Sequence, residues 1–354
     1  MIIKLFSKPF LTLFALFIVF TSSLSVKTYS QSSPESYQLQ KEGHKQIQNN
    51  NPEQAIILFK QAIRIDPQEV SLRRDLSYAY FLTGDLKEAK NGIKDVLNSS
   101  FADEQTFRIA AAIENADGNT RRANRIIRDG LQKYPYSGLL YQQQGVLYQF
   151  QKKEKNALEA WQKGIEVDPN FATNYYFAAL AYAKKQEHIW AVIYGEIYLN
   201  MENHPNRGFE IKKQIVESYQ ELFKQDNLSD LPTFGKNNQN SEHNFSNILE
   251  FLTLQNGGIL KRGFDIEALI MLRTRVLLDW KNNYSINYPS SLLSYHQRLM
   301  NNGFFDTYNQ WLFGAYLNSQ EFSTWKQMHS NIFAKFEDWK NKNPLQMASF
   351  DPKP

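Results

Sequence analysis

The side chains that could do covalent or metal chemistry are scattered along this chain. The six histidines, His44, His188, His204, His243, His296 and His329, are nowhere three or four residues apart, so no helix brings two imidazoles to one metal ion. There is no His-Glu-x-x-His, no Gly-x-Ser-x-Gly, no glycine-rich phosphate loop and no aspartate-rich calcium loop. Cysteine is absent, which excludes disulfides, thiolate chemistry and a lipoprotein lipobox. Glu187 and His188 read as a solvated turn. His329 lies on the otherwise apolar stripe Trp325, His329, Ile332, Phe336 and Trp339 and reads as a core histidine. The expectation is therefore no catalytic residue, no cofactor and no metal. Binding is the chemistry that remains, and an enzyme would need converging carboxylates or a His–acid pair assembled from distant residues.

The elements that would position binding side chains repeat every 34 residues, from Ser36 to about Asn203, without insertion or deletion. Counting from Ser36, Val70, Glu104, Gly138 and Ala172, the eighth place is small: Gly43, Ser77, Ala111, Gly145 and Ala179. The twentieth is Ala55, Ala89, Ala123, Ala157 and Ala191, and the twenty-fourth is Phe59, Ile93, Ile127, Trp161 and Gly195. Small residues let two antiparallel helices approach closely within a repeat, and the large residue fills the space toward the next. Pro67, Pro135 and Pro169 end second helices, since proline lacks the N–H and disfavours helix in the residue before it. Gly84 and Gly118 suit the left-handed turn between helices. Lys152 and Gln186 replace glycine there, so those two turns are expected to be less sharply defined. Asn51 and Pro52 serve as cap and first-turn proline of a second helix.

This grammar resembles the tetratricopeptide repeat (TPR) family over residues 36–205. The resemblance implies an all-α solenoid of about five repeats that holds a peptide or a helix of another protein. It also implies that the concave face, formed by places two, five, nine and twelve of each first helix, does the holding. Those places give Tyr37, Gln40, His44, Arg74, Tyr78, Gln105, Arg108, Asn115, Gln142, Gln149 and Tyr176. Arg74 and Arg108 stand one repeat apart and are expected to project together toward acidic groups of a partner. The lysine and asparagine of the subgroup that clamps chaperone carboxyl termini are missing here. The stripe Arg121, Arg125 and Arg128 reads as a solvated helix face.

Residues 1–30 read as a secretory signal: Lys4 and Lys8 precede an apolar run from Phe10 to Phe20, too short to span a bilayer, which takes about 20 residues. An uncleaved anchor is the alternative. These residues hold Lys4, Lys8 and Lys27 and no acid, so without them the net charge falls by three, from +4 to +1. A balance so near neutrality disfavours nucleic acid as a partner, and after removal of the signal no membrane span is expected. The four Asn-x-Ser sequons at Asn98, Asn227, Asn244 and Asn283 read as accidental in an Asn-rich chain.

Beyond Asn203 the phase slips at Pro205. Residues 31–224 are expected to hold the solenoid with a covering helix from Phe209 to Lys224, residues 225–243 a polar linker, residues 244–343 a smaller aromatic-rich helical domain, and residues 344–354 a loose tail. Phe304 to Leu317 and a further helix opening at Asn318 with Glu321 as its capping pair carry most of the aromatics. The block Phe305-Asp-Thr-Tyr-Asn-Gln-Trp-Leu-Phe-Gly314 resembles one in uncharacterised exported TPR proteins of Bacteroidota, which implies the periplasm or cell envelope of a Gram-negative bacterium. The leading functional expectation is an envelope scaffold for protein–protein interaction. A carbohydrate-binding or glycan-assembly role, using exposed Tyr and Trp as stacking faces, and an enzyme with its site in the carboxyl-terminal region are the rivals.

Overall fold

A computed structural model describes residues 33–202, 205–224, 245–348 and 351–352. The expected signal at 1–30 and linker at 225–243 lie outside them. Among the described residues there are helices and turns and no strand, so the chain is all-α, with a TPR-type solenoid of paired antiparallel helices followed by further helices. It divides into two compact units, the first ending at Lys152 and the second beginning at Lys153. That division falls inside the fourth repeat. The second unit therefore joins the end of the repeat array to everything after it, rather than beginning after residue 243.

The first unit contains α1 (Pro34–Gln48), α2 (Pro52–Ile65), α3 (Val70–Thr83), α4 (Leu86–Asn98), α5 (Glu104–Ala116), α6 (Thr120–Lys133) and α7 (Gly138–Phe150). Consecutive helices pack against each other, and α5 also touches α7. The small-residue rule has a direct cause in this unit. A Cβ on Gly43 would lie 2.5 Å from the Phe59 ring, so α1 and α2 could not close with any larger residue there. Ala55, Ala89 and Ala123 are fully buried, and Phe59, Ile93 and Ile127 join them in one core. Gly84 and Gly118 turn the chain with φ of 85° and 83°. Asn51 stands at the cap of α2, but its side chain makes no capping hydrogen bond and donates instead to Gln46 Oε1 at 3.3 Å.

The second unit contains α8 (Glu154–Val167), α9 (Ala172–Lys184), α10 (His188–Met201), α11 (Pro205–Leu222), α12 (Phe245–Gln255), a 3-10 turn (Gly257–Arg262), α13 (Ile266–Asn283) and α14 (Ser291–Asn301). Then come α15 (Phe305–Asn309), a π turn (Gln310–Gly314), α16 (Ala315–Leu317), α17 (Ser319–Met328) and α18 (Ser330–Lys342). Helix α10 is the hub, touching α9, α11, α12 and α14. It is buried nearly all round, as a helix apolar on every face must be. Gly195 admits α11, because a Cβ there would already stand 3.0 Å from Ile215 and 3.1 Å from Ile211.

Three local expectations are corrected. Lys152 and Gln186 adopt φ of 60° and 63°, the same left-handed conformation as the glycines, so their turns are as sharply defined at the expense of backbone strain. The stripe through His329 is broken between α17 and α18: His329 is exposed, stacked on Trp325 at 4.7 Å, and Phe333 rather than Ile332 is buried beside Phe336. Residues 344–348 are held rather than loose. Leu345 and Met347 are buried, with their N–H groups donating to Asn200 O at 3.2 Å and Asn170 Oδ1 at 3.0 Å.

Candidate functional site

In the first unit, the first helices of successive repeats carry a ladder of hydrogen bonds. Gln40 Nε2 on α1 donates to Ser71 Oγ at 3.0 Å and Asp75 Oδ2 at 2.7 Å, both on α3. His44 Nε2, one helical turn after Gln40, stands 2.7 Å from the same Asp75 oxygen. Arg74 donates through Nε to Asp75 Oδ1 at 2.9 Å and also pairs with Asp103, whose other oxygen caps α5 by accepting from Thr106 N at 2.8 Å. Burial pushes the Asp75 carboxyl up, but the Arg74 guanidinium and then His44 and Gln40 outweigh it and hold it well below the usual range. Gln40, His44 and Arg74 are half-buried, and Tyr37, one turn before Gln40, is 56% exposed.

A second knot lies under the third repeat. Arg108 is only 1% exposed, donates to Gln105 Oε1 at 2.9 Å and lies over the Tyr78 ring at 5.3 Å. Burial pulls its guanidinium below the ordinary arginine value. Arg74 and Arg108 therefore do not reach out together for an acidic partner. The first is neutralised by two aspartates, and the second is sealed among Tyr78 and Gln105.

The remaining expected residues divide by position. Asn115 is buried at the end of α5 and accepts from Thr120 Oγ1 at 3.2 Å; Gln142 is buried in α7 and Gln149 is exposed on it. Tyr176 belongs to the second unit. It is buried, donates to Glu210 Oε2 at 2.5 Å and has the Arg207 guanidinium 5.1 Å from its ring centre. The structure thus joins Gln40 with His44 and Arg74, and Tyr78 with Gln105 and Arg108, leaving Tyr37 and Gln149 as exposed flanks.

The second unit holds a charged centre that the repeat grammar did not reveal. Glu196 on α10 receives both terminal nitrogens of Arg273 on α13, at 2.6 and 2.8 Å. Tyr308 on α15 donates its hydroxyl to Glu196 Oε2 at 2.7 Å and accepts from Asn200 Nδ2 at 2.8 Å. His296 Nε2 on α14 lies 3.0 Å from the same carboxylate oxygen. Burial opposes the charge on Glu196, yet Arg273 and then His296 overcome it and hold the carboxyl far below its ordinary value. Burial pulls His296 downward against the pull of Glu196. One side of the centre faces a cavity of about 50 Å³ with walls that include Ile189, Ile193, Leu272 and Leu293. A signal for it was present, because Glu196 is the only acid in the apolar run from Ile189 to Leu199.

Elsewhere in this unit, Phe264, Phe322 and Trp325 line an open cleft of about 740 Å³ together with Asp265, Glu267 and Gln320. Among the described residues, no group of three or more His, Asp and Glu side chains could hold a metal ion, and no helix is long and apolar enough to cross a membrane.

Residues 46–113 and residues 139–171 each match a tetratricopeptide-repeat family profile. The repeat region belongs to the tetratricopeptide-repeat family. Similar solved structures include a thermophilic TPR protein of Thermus thermophilus, at 13% identity and a TM-score of 0.45 over 52% of this chain and 99% of that one. Another is pilF of Pseudomonas aeruginosa, at 16% and 0.43 over 54% and 87%. A TPR protein of Parabacteroides merdae aligns at 15% and 0.37 over 73% and 96%. No curated protein matches the chain in sequence. TPR arrays hold other proteins or peptides, and a protein-interaction scaffold is the role this region fits.

Proposed function

We propose that the chain is an exported scaffold of the cell envelope that takes an extended peptide or a helix of another protein on the first-helix face of its amino-terminal repeats. The observation that carries this reading is the pre-ordered ladder Gln40–His44–Asp75–Arg74, half-buried and flanked by exposed Tyr37. A ladder already held in place loses little side-chain freedom when a partner arrives. Its charge is close to balanced, so the partner is recognised by hydrogen bonds and aromatic contact rather than by an acidic clamp. The Glu196 centre has a holding role in this reading. Its carboxylate is committed to Arg273 and Tyr308, and a cavity of about 50 Å³ is far below the roughly 300 Å³ or more of an ordinary small-molecule site.

The experiment is capture with the chain lacking residues 1–30 as bait, against the same bait carrying Gln40→Ala and Tyr37→Ala. A partner lost from the double variant while helical content is unchanged supports the reading; equal capture by both sinks it. Export is tested by fractionation with amino-terminal sequencing, where a start at Met1 in a membrane fraction contradicts a cleaved signal. A carbohydrate reading has one specific support, the aromatic and amide-bearing cleft around Phe322 and Trp325, since sugars stack on such rings. A neutral oligosaccharide that raises the melting temperature of the natural chain but not of Trp325→Ala would favour it.

A further inference from the structure

Two lysines of the second unit converge on one tryptophan. Lys212 on α11 places its ammonium 3.7 Å from the centre of the Trp311 ring and donates to Trp311 O at 2.7 Å. Lys340 on α18 stands 4.9 Å from the same ring centre and donates to Leu199 O at 2.9 Å. Trp311 lies in the π turn, and all three side chains are half-buried. Each lysine thus gives one N–H to a carbonyl and, in its ammonium form, keeps two.

Among the described residues neither ammonium stands in an ion pair, and burial is the sole influence on Lys340. Glu337 acts on Lys212 from farther away, while Lys326 adds a third positive charge. Burial, and next the neighbouring Lys340, bring Lys212 down to about 7; burial alone brings Lys340 down to about 8. Capping two carbonyls needs one donor each, and the Trp311 face offsets part of the cost of desolvating a cation. Neither favours holding two protons side by side in a half-buried place, and a methionine at either position would avoid the cost that has lowered both groups; a bound anion would instead draw both lysines to the ammonium form.

We infer that Lys212, Lys340 and the Trp311 face form a binding site for an oxyanion, a carboxylate, sulfate or phosphate group carried on a small ligand. The four spare N–H groups bridge its oxygens, and its charge replaces the missing acid. This site is independent of the first-helix face and of the aromatic cleft.

The test is titration of the chain lacking residues 1–30 with inorganic phosphate, sulfate and glucuronate, each against chloride at matched ionic strength, read by calorimetry and melting temperature. Saturable binding of at least one anion is expected, weakened roughly tenfold or more by Lys212→Met or Lys340→Met, the scale of one charge-assisted hydrogen bond. Lys213→Met serves as control, because Lys213 is exposed and pairs with Glu217; it should bind as the natural chain does. Saturation by glucuronate alone assigns a carboxylated sugar, and saturation by phosphate or sulfate assigns the corresponding ester. A second readout is amine acetylation, which should slow at Lys212 when the anion saturates. No saturable response to any of the three, or equal affinity in Lys212→Met, overturns the inference.

Discussion

The two units treat buried polarity in opposite ways. In the first, Asp75 is held by Gln40, His44 and Arg74 on a face that water still reaches, and Arg74 has Asp103 as a second partner. In the second, Glu196 is closed in by Arg273, Tyr308 and His296, which come from three helices far away in sequence. An open network with redundant partners tolerates the loss of a member and can exchange hydrogen bonds with a visitor. A sealed one can do neither, because any group left behind is an uncompensated buried charge. The proposed function therefore places recognition with the first arrangement and cohesion with the second.

The largest expected effect separates them. Arg273→Met should destabilise the second unit by about 3–5 kcal/mol, because the buried Glu196 loses its permanent countercharge and keeps only the Tyr308 hydroxyl and His296 beside it. Arg74→Met should cost about 1–3 kcal/mol or less, since Asp75 keeps Gln40 and His44. All six tryptophans, Trp161, Trp190, Trp280, Trp311, Trp325 and Trp339, lie in the second unit. Tryptophan fluorescence in a urea melt thus reports that unit alone, while circular dichroism reports both. Equal shifts of the fluorescence transition in the two variants would dissolve the contrast.

Much of the fold was legible because periodicity reports which face of a helix is buried. The recurring alanine of place twenty is buried throughout: Ala55, Ala89, Ala123, Ala157 and Ala191. The caps were legible as well: Asp265 accepts from Ala268 N at 2.8 Å and Asn318 from Glu321 N at 3.2 Å. What periodicity cannot report is which buried polar group meets which. Glu196 meets Arg273 across 77 residues and Tyr308 across 112, and no spacing rule links them. The same limit applies on the first-helix face. Place five gave Arg74 and Arg108 equal standing, whereas two aspartates neutralise the first and Tyr78 and Gln105 seal the second. The π turn at Gln310–Gly314 escaped too, because its one-residue shift is invisible in an aromatic-rich run.

A matched pair at one repeat place sharpens the comparison next. Ala89→Leu in the first unit and Ala191→Leu in the second should each cost about 1–3 kcal/mol by overpacking. Only Ala191→Leu should move the fluorescence transition directly. A melt unchanged by both would remove the helix-pair register on which the site rests.

Acid should then distinguish the units by where stability begins to fall. The folded-state pKa of His296 is lowered, so the unfolded chain binds its proton first and stability drops as pH falls below the unfolded value of about 6.5. The slope is at most about 1.4 kcal/mol per pH unit for one proton. Asp75 and Glu196 are lowered carboxyls whose contribution is present above their unfolded values, near about 4, and is lost only below them. The lowered Lys212 and Lys340 already cost stability as pH falls from about 10.5 towards 7; a further loss in the second unit should set in from about pH 6.5, shared by His296 and the half-buried His188, and His296→Phe should reduce that limb without touching the one below about pH 4. Measured stability that is level from about pH 7 to 5 in the natural chain would contradict the direction assigned to His296.

The smallest effect is a gain. Lys152→Gly and Gln186→Gly relieve left-handed strain of about 1–2 kcal/mol against the extra backbone freedom of glycine, roughly 0.5–1 kcal/mol. Each should stabilise by about 1 kcal/mol or less, visible as a small rise in melting temperature.

The division of labour is tested most directly by photo-crosslinking in the cell of origin, with a benzophenone amino acid placed singly at Tyr37 beside the ladder, at Gln149 on the first helix of the fourth repeat, and at Arg64 and Arg125 on exposed faces of second helices. The same partner should crosslink at Tyr37 and Gln149 and be missing at Arg64 and Arg125, and the Tyr37 crosslink should fade when Gln40 is also replaced by Ala. Crosslinks of equal yield at all four positions, or only at Arg64 and Arg125, would contradict the claim that the first-helix face is where this chain meets its partner.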